Sequence, residues 1–329
     1  MLIRNDKDGI MIPIPQYPLY SAAITALGGA QVPYFLDEDA DWGMSTAKLD
    51  EAANEAKANG VELRSLCIIN PGNPTGQVMT EENIKEVIGW AAQEGVLIMA
   101  DEVYQTNVYD PTMQFTSFKK ALRAMEDDGD IPAGGVELVS FHSTSKGILG
   151  ECGLRGGYLE LTNIEPDTAE EVYKSLSVNL CSNLPGQVMV DLMVNQPKQG
   201  DPSYPAYRAE FDAIFESLQV TPQPPRRRSC CRSHAAHPTV LQRRATTLVE
   251  GLNKLEGVSC NASSGAMYAF PQIRSDCPAP HRTVASSVAP SVCVCVCVFW
   301  RGGCPSFDAG AEHRIFHFLR CISLIFFSH

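Results

Sequence analysis

A chain of 329 residues, 44% hydrophobic and 19% charged, is long enough for two domains around a sizeable core. Its formal net charge of −12 argues against a nucleic-acid partner held along its phosphate backbone, so no nucleic acid is expected, and no apolar run reaches the ~18 residues needed to cross a membrane. The opening segment carries Asp6, Asp8 and several prolines instead of the basic-then-apolar order of a signal peptide, which makes the cytoplasm the default compartment.

Those averages conceal a break. Residues 1–220 hold 14 Lys/Arg against 33 Asp/Glu, a net of −19, whereas residues 221–329 hold 12 against 5, a net of +7. Cys67, Cys152 and Cys181 precede the break and the other nine of the 12 cysteines follow it.

In chain order, short apolar runs predict strands at Gly9–Ile12, Ala30–Phe35, Ser65–Ile69, Val96–Ala100, Val136–Phe141 and Gly157–Leu161. Amphipathic segments predict helices at Tyr17–Leu27, Thr46–Ala58, Thr80–Glu94 and Asp167–Val178. Thr80 sets the start of the third, with Glu81 and Glu82 where the helix dipole favours acid. Strand and helix alternate, which implies an α/β layer fold with a largely parallel sheet and a ligand site beyond the carboxyl ends of the strands. From Pro205 the pattern turns helical, at Ala206–Leu218 and Val240–Leu255, before strand character returns in Val258–Phe270. Residues 219–239, with Pro222, Pro224, Pro225 and Arg226-Arg227-Arg228, read as an insertion.

Beyond Arg274 the order is expected to disappear. Val292 to Val298 alternate strictly between Val and Cys, and such thiols lack the paired spacing of a zinc site. A dinucleotide repeat in DNA, read in codons, gives this alternation, so residues 275–329 are expected to be translated non-coding sequence. No metal site is expected.

Four segments carry candidate chemistry, each near the end of a predicted strand. Asn70-Pro71-Gly72-Asn73-Pro74-Thr75-Gly76 is a tight loop in which Asn73 offers a donor to a phenolate-like oxygen. Asp101 closes the Val96–Ala100 strand; it is either a cap for the next turn or a carboxylate that keeps a pyridine nitrogen protonated, with Tyr104 three residues on. Ser143-Thr144-Ser145-Lys146 also resembles the Ser-x-x-Lys of penicillin-binding hydrolases, but no Ser-Asp-Asn or Lys-Thr-Gly partner is present. Lys146 follows a buried-type strand, a placement that suits an amine acting as nucleophile or base. Arg155, in a glycine-rich turn, is either a surface arginine or a bidentate anion ligand.

Their order resembles the fold-type I pyridoxal-phosphate enzymes, and among them the alanine aminotransferase family. The resemblance rests on Pro13-Ile14-Pro15-Gln16-Tyr17-Pro18-Leu19-Tyr20, the Asn70–Gly76 loop, Asp101–Tyr104, Phe141–Lys146 with Gly150-Glu151-Cys152-Gly153, and Gly265-Ala266-Met267-Tyr268. It implies a three-layer αβα large domain over residues 1–204, incomplete at its start. A fragment of a smaller α+β domain would follow over residues 205–274. It further implies pyridoxal 5'-phosphate as cofactor, with Lys146 as the Schiff-base lysine and Asp101 against the ring nitrogen. Asn73 and Tyr104 would meet the ring oxygen, Ser143 and Arg155 the phosphate, and Tyr17 would stack on the ring. The implied reaction is amino transfer between L-alanine and 2-oxoglutarate, in a homodimer. A glutamate–glyoxylate or kynurenine-type aminotransferase and a non-catalytic fragment that pairs with full-length subunits are the alternatives.

The chain departs from that pattern in three places. It begins after the loop that cups the cofactor phosphate, it is interrupted at residues 219–239, and it diverges before the arginine that grips the substrate carboxylate. Weak cofactor binding and low turnover are the expectation for this chain alone. A mitochondrial presequence ahead of Met1 is the alternative to a cytoplasmic location.

Overall fold

The computed structural model describes residues 2–108, 110, 112–147, 149–217, 240–274, 291–293, 295–297 and 324–325. Six strands form one sheet: β1 (Asp8–Ile14), β2 (Ala30–Phe35), β3 (Glu62–Ile69), β4 (Leu97–Asp101), β5 (Leu138–Ser143) and β6 (Gly157–Thr162). Their spatial order is β2-β1-β3-β4-β5-β6. The first five are parallel and β6 runs antiparallel beside β5, with Ser143 opposite Gly157. All six predicted strands are present, within a few residues of their expected bounds.

The inner strands β1 and β3 are buried on both faces, which is why they read as continuous apolar runs, whereas the outer β2 and β6 keep exposed residues. One face packs against α2 (Thr46–Ala58), α3 (Glu81–Glu94) and α4 (Phe118–Asp128). Its core includes Met11, Tyr34, Leu49, Leu66, Ile84, Ile98, Phe118 and Leu122. The opposite face sets Ile10, Ile12 and Cys67 against Ile24 and Tyr20 of α1 (Leu19–Ala26). Helices on both faces of a mainly parallel sheet make the three-layer αβα arrangement.

Beyond β6 lie α5 (Pro166–Ser177), α6 (Leu184–Val194) and α7 (Tyr204–Ser217), then α8 (Val240–Leu252). A separate small core joins Leu252, Cys260 and Ala269, at α8 and the strands β7 (Val258–Ser259), β8 (Tyr268–Ala269) and β9 (Gln272–Arg274). The expected insertion at residues 219–239 lies outside the described residues, as does most of the expected tail. The described parts of that tail are ordered strands rather than an unstructured stretch. Ser291–Cys293 pairs antiparallel with β9, and Cys295–Cys297 pairs with both β8 and Leu324–Ile325. No helix among the described residues is long and apolar enough to cross a membrane.

Candidate active site

The loops that follow β3, β4 and β5 meet at the carboxyl end of the parallel strands. After β3, the Asn70 amide N–H donates to the Asp101 carbonyl at 3.0 Å, and its side-chain Oδ1 accepts from the Met79 amide at 3.0 Å. This buried asparagine closes the loop and fastens it to β4; no functional role had been read into it from sequence. Gly76 holds a left-handed φ of 77°, and a Cβ there would lie 2.2 Å from Ser263 Oγ, so only glycine fits. Asn73 is half-buried and lines a small hollow with Pro13, Pro15, Tyr34 and Gln77.

Asp101 ends β4 with its carboxylate largely buried. Oδ2 accepts from the Tyr20 hydroxyl at 2.6 Å, and Oδ1 accepts from the Val103 amide at 3.3 Å. Burial pushes this carboxyl above the usual aspartate range, while those two donors and the nearby His142 pull it back. Burial likewise raises the Tyr20 phenol, reinforced by the Cys67 thiol and by Asp101 itself. Tyr17, which the resemblance would stack on the ring, is 46% exposed, and Tyr20 of the same segment meets Asp101. His142 is lowered by burial, and its Nδ1 is buried with no hydrogen-bond partner.

Lys146 lies beyond β5 in a turn fixed by its neighbour. The Gly147 amide donates to Asn107 Oδ1 at 3.0 Å, and Gly147 has a left-handed φ of 71° with Thr106 Oγ1 2.6 Å from where a Cβ would sit. The Lys146 ammonium stands 5.6 Å from the centre of the Tyr104 ring and 6.0 Å from that of Tyr268. The two tyrosines are buried, meet edge to face at 84°, and place their hydroxyls 2.8 Å apart. Tyr268 enters the sequence analysis only within the Gly265–Tyr268 motif that carries the family resemblance, since nothing local signals a partner 164 residues away.

Ser143 and Arg155 lie at the β5–β6 end of the sheet. Ser143 Oγ accepts from the Ser145 amide at 3.3 Å. Arg155 has a left-handed φ of 53°, is exposed, and donates from Nη1 to the Cys152 carbonyl at 2.7 Å. The structure therefore pairs Asp101 with Tyr20, and sets Lys146 against Tyr104 and Tyr268. It leaves Tyr17 on the surface and turns Arg155 back onto its own loop.

This donor set fits a group with a cationic ring nitrogen. Asp101 is buried, held by a phenol and an amide, and paired with no Lys or Arg among the described residues. A positive nitrogen against it would offset the burial penalty, and an amine stands in the turn after the next strand.

Comparison with known proteins points the same way. The sequence model of the family aminotransferase class I and II matches residues 1–220. Alanine aminotransferase 1, mitochondrial, of Arabidopsis thaliana is 47% identical over 292 residues, taking in 88% of this chain and 48% of that protein. Glutamate–glyoxylate aminotransferase 1 of the same plant is 41% identical over 319 residues, 96% of this chain and 61% of that protein. Residues 1–274 alone could not supply that share, so the aligned span runs past Arg274. The chain thus spans about half the length of the first of these relatives and about three-fifths of the second. Among solved structures, an alanine aminotransferase from Pyrococcus furiosus superposes with a TM-score of 0.62 at 20% identity, over 84% of this chain and 58% of that one, a likeness of fold. With the sheet order, the strand-end lysine and the buried aspartate already in place, the match over residues 1–220 makes this chain a member of the aminotransferase class I and II family, a family of pyridoxal-phosphate-dependent transaminases.

Proposed function

We propose that the chain binds pyridoxal 5'-phosphate, with Lys146 as the amine that bonds its aldehyde carbon, and that it serves amino transfer between L-alanine and 2-oxoglutarate. The observation that carries the cofactor reading is the largely buried carboxylate of Asp101 at the end of β4, with Lys146 in the turn that follows the neighbouring β5. When bound, the cofactor's protonated ring supplies an electron sink for the bonds at the substrate α-carbon.

Asp101 would hold the ring nitrogen, with Tyr20 fixing the carboxylate's orientation. Asn73 and Tyr104 would hold the ring oxygen, Ser143 and Arg155 the phosphate, and Tyr17 the ring face. Lys146 Nζ, once released, would move the proton at the α-carbon, next to aromatic surfaces that exclude water. Binding is expected to be weak, because Arg155 must first leave the Cys152 carbonyl to reach a phosphate.

The 47% identity to an alanine aminotransferase supports alanine as donor. A second reading, transfer from glutamate to glyoxylate, is supported by the longer match to a glutamate–glyoxylate aminotransferase. Relatives named as mitochondrial make the mitochondrion a candidate compartment beside the cytoplasm.

The test is to incubate the purified chain with pyridoxal phosphate, reduce with borohydride and map the modified peptide. A single pyridoxyl group on Lys146, lost in Lys146→Gln, is expected; label spread over other lysines would sink the cofactor reading. Transaminase turnover in Lys146→Gln should fall by roughly 10²-fold or more. Assay of pyruvate formed from alanine against glycine formed from glyoxylate then separates the two substrate readings.

A further inference from the structure

Tyr268 reaches the site from a segment far along the chain, and its placement is built rather than incidental. Its carbonyl accepts from Ser263 Oγ at 3.0 Å. The Ser264 and Gly265 amides donate to the Gly76 carbonyl at 3.0 and 2.8 Å, and the Ala266 amide donates to the Asn107 carbonyl at 2.9 Å. Asn107 in turn receives the Gly147 amide on Oδ1, directly beside Lys146. One asparagine therefore ties the Tyr268 segment and the lysine turn together.

Two consequences follow. Hydroxyls 2.8 Å apart share one hydrogen bond, so the Tyr268 hydroxyl constrains where the Tyr104 hydroxyl can direct its own proton. Rings set edge to face, each within about 6 Å of Nζ, attract an ammonium through their quadrupoles.

We propose that Tyr268 is a positioning residue: its ring, with that of Tyr104, forms the wall against which the Lys146 amine is held, and its hydroxyl orients the Tyr104 hydroxyl. The assignment rests on Lys146 being the amine that bonds the cofactor, and its test has an arm that needs no cofactor.

In the cofactor-free chain, acetic anhydride labelling of Lys146 is measured against Lys85 on α3 by peptide mass spectrometry. Tyr268→Leu should raise the relative labelling of Lys146 about two- to fivefold, and Tyr268→Phe, which keeps the ring, should restore the wild-type rate. Equal labelling in all three, or a Phe variant that behaves like Leu, would overturn the role of the ring. In the second arm, pyridoxal phosphate is trapped on Lys146 by borohydride in Tyr104→Phe, Tyr268→Phe and the double variant. Each single change should weaken trapping about two- to tenfold, and the double should be no weaker than the worse single, because the two hydroxyls act as one unit. Fully additive losses would overturn the role of the hydroxyl. Absence of trapping in the wild-type chain, with the labelling effect intact, would remove the cofactor reading while leaving the aromatic wall in place.

Discussion

Glu102 follows Asp101 directly and faces a different problem. Its Oε1 accepts from the Phe118 amide at 2.7 Å, at the first turn of α4, yet burial outweighs that bond and pushes the carboxyl up to about 7 from 4.5. Between those two values the folded chain holds a proton that the unfolded chain has released. Stability therefore falls as pH rises through that window, by about 3 kcal/mol, and stays reduced above it. Urea unfolding at about pH 5 and about pH 8 should show that loss in the wild type and a much smaller one in Glu102→Gln, whose amide oxygen can still accept from Phe118. Equal pH dependence in both proteins would count against the buried-carboxyl account. Tyr20→Phe acts in the opposite sense on its neighbour. Removing the phenol strips a donor from the Asp101 carboxylate, and its titration, followed by carboxyl carbon NMR, should move further up. An unchanged titration would show that the 2.6 Å contact does not hold the charge.

At the level of elements, helix ends were the most legible feature and also show what was overlooked. Thr80 caps α3 by accepting the Asn83 amide at 3.2 Å, and Gly95 closes it in the left-handed conformation, in line with the start read from sequence. The same devices bound α4, where Ser117 accepts the Lys120 amide at 3.2 Å and Gly129 ends the helix with φ of 79°. That helix was not anticipated, although Phe118, Ala121, Leu122 and Met125 recur at helical spacing and all are buried. Ser117→Ala should cost about 1 kcal/mol in urea unfolding; a cost near zero would mean that Glu102 alone caps the helix. The omission of α6 has a different cause. Its sequence, Leu184 to Val194, is apolar on nearly every side and carries no amphipathic period to read.

At the scale of the molecule, that apolar helix leaves large apolar side chains exposed among the described residues. Leu184 is 70% exposed, Val188 51% and Leu192 55%, alongside Leu176, Val178 and Leu180 at and beyond the end of α5. A patch of this kind marks a surface that associates. A second copy of the chain is the partner proposed for it, in keeping with the homodimer expected from sequence. Val188→Glu with Leu192→Lys should shift sedimentation towards the monomer, whereas identical sedimentation of variant and wild type would place the contact elsewhere.

The sequence by itself determined the six strands, their alternation with helices, and the strand-end positions of Asp101 and Lys146. Apolar runs and glycine-bounded turns are local signals that the chain carries wherever it folds. It could not bring Tyr20 to Asp101, recognise Asn70 as the residue that closes the first loop, or bring Tyr268 to Tyr104. Those depend on partners 81, 31 and 164 residues away, and a hydroxyl or amide has no preferred partner until the sheet is assembled and water is gone. Tertiary structure alone made Asp101 a buried carboxylate in need of a cation, because burial is a property of the packed layers and not of any segment.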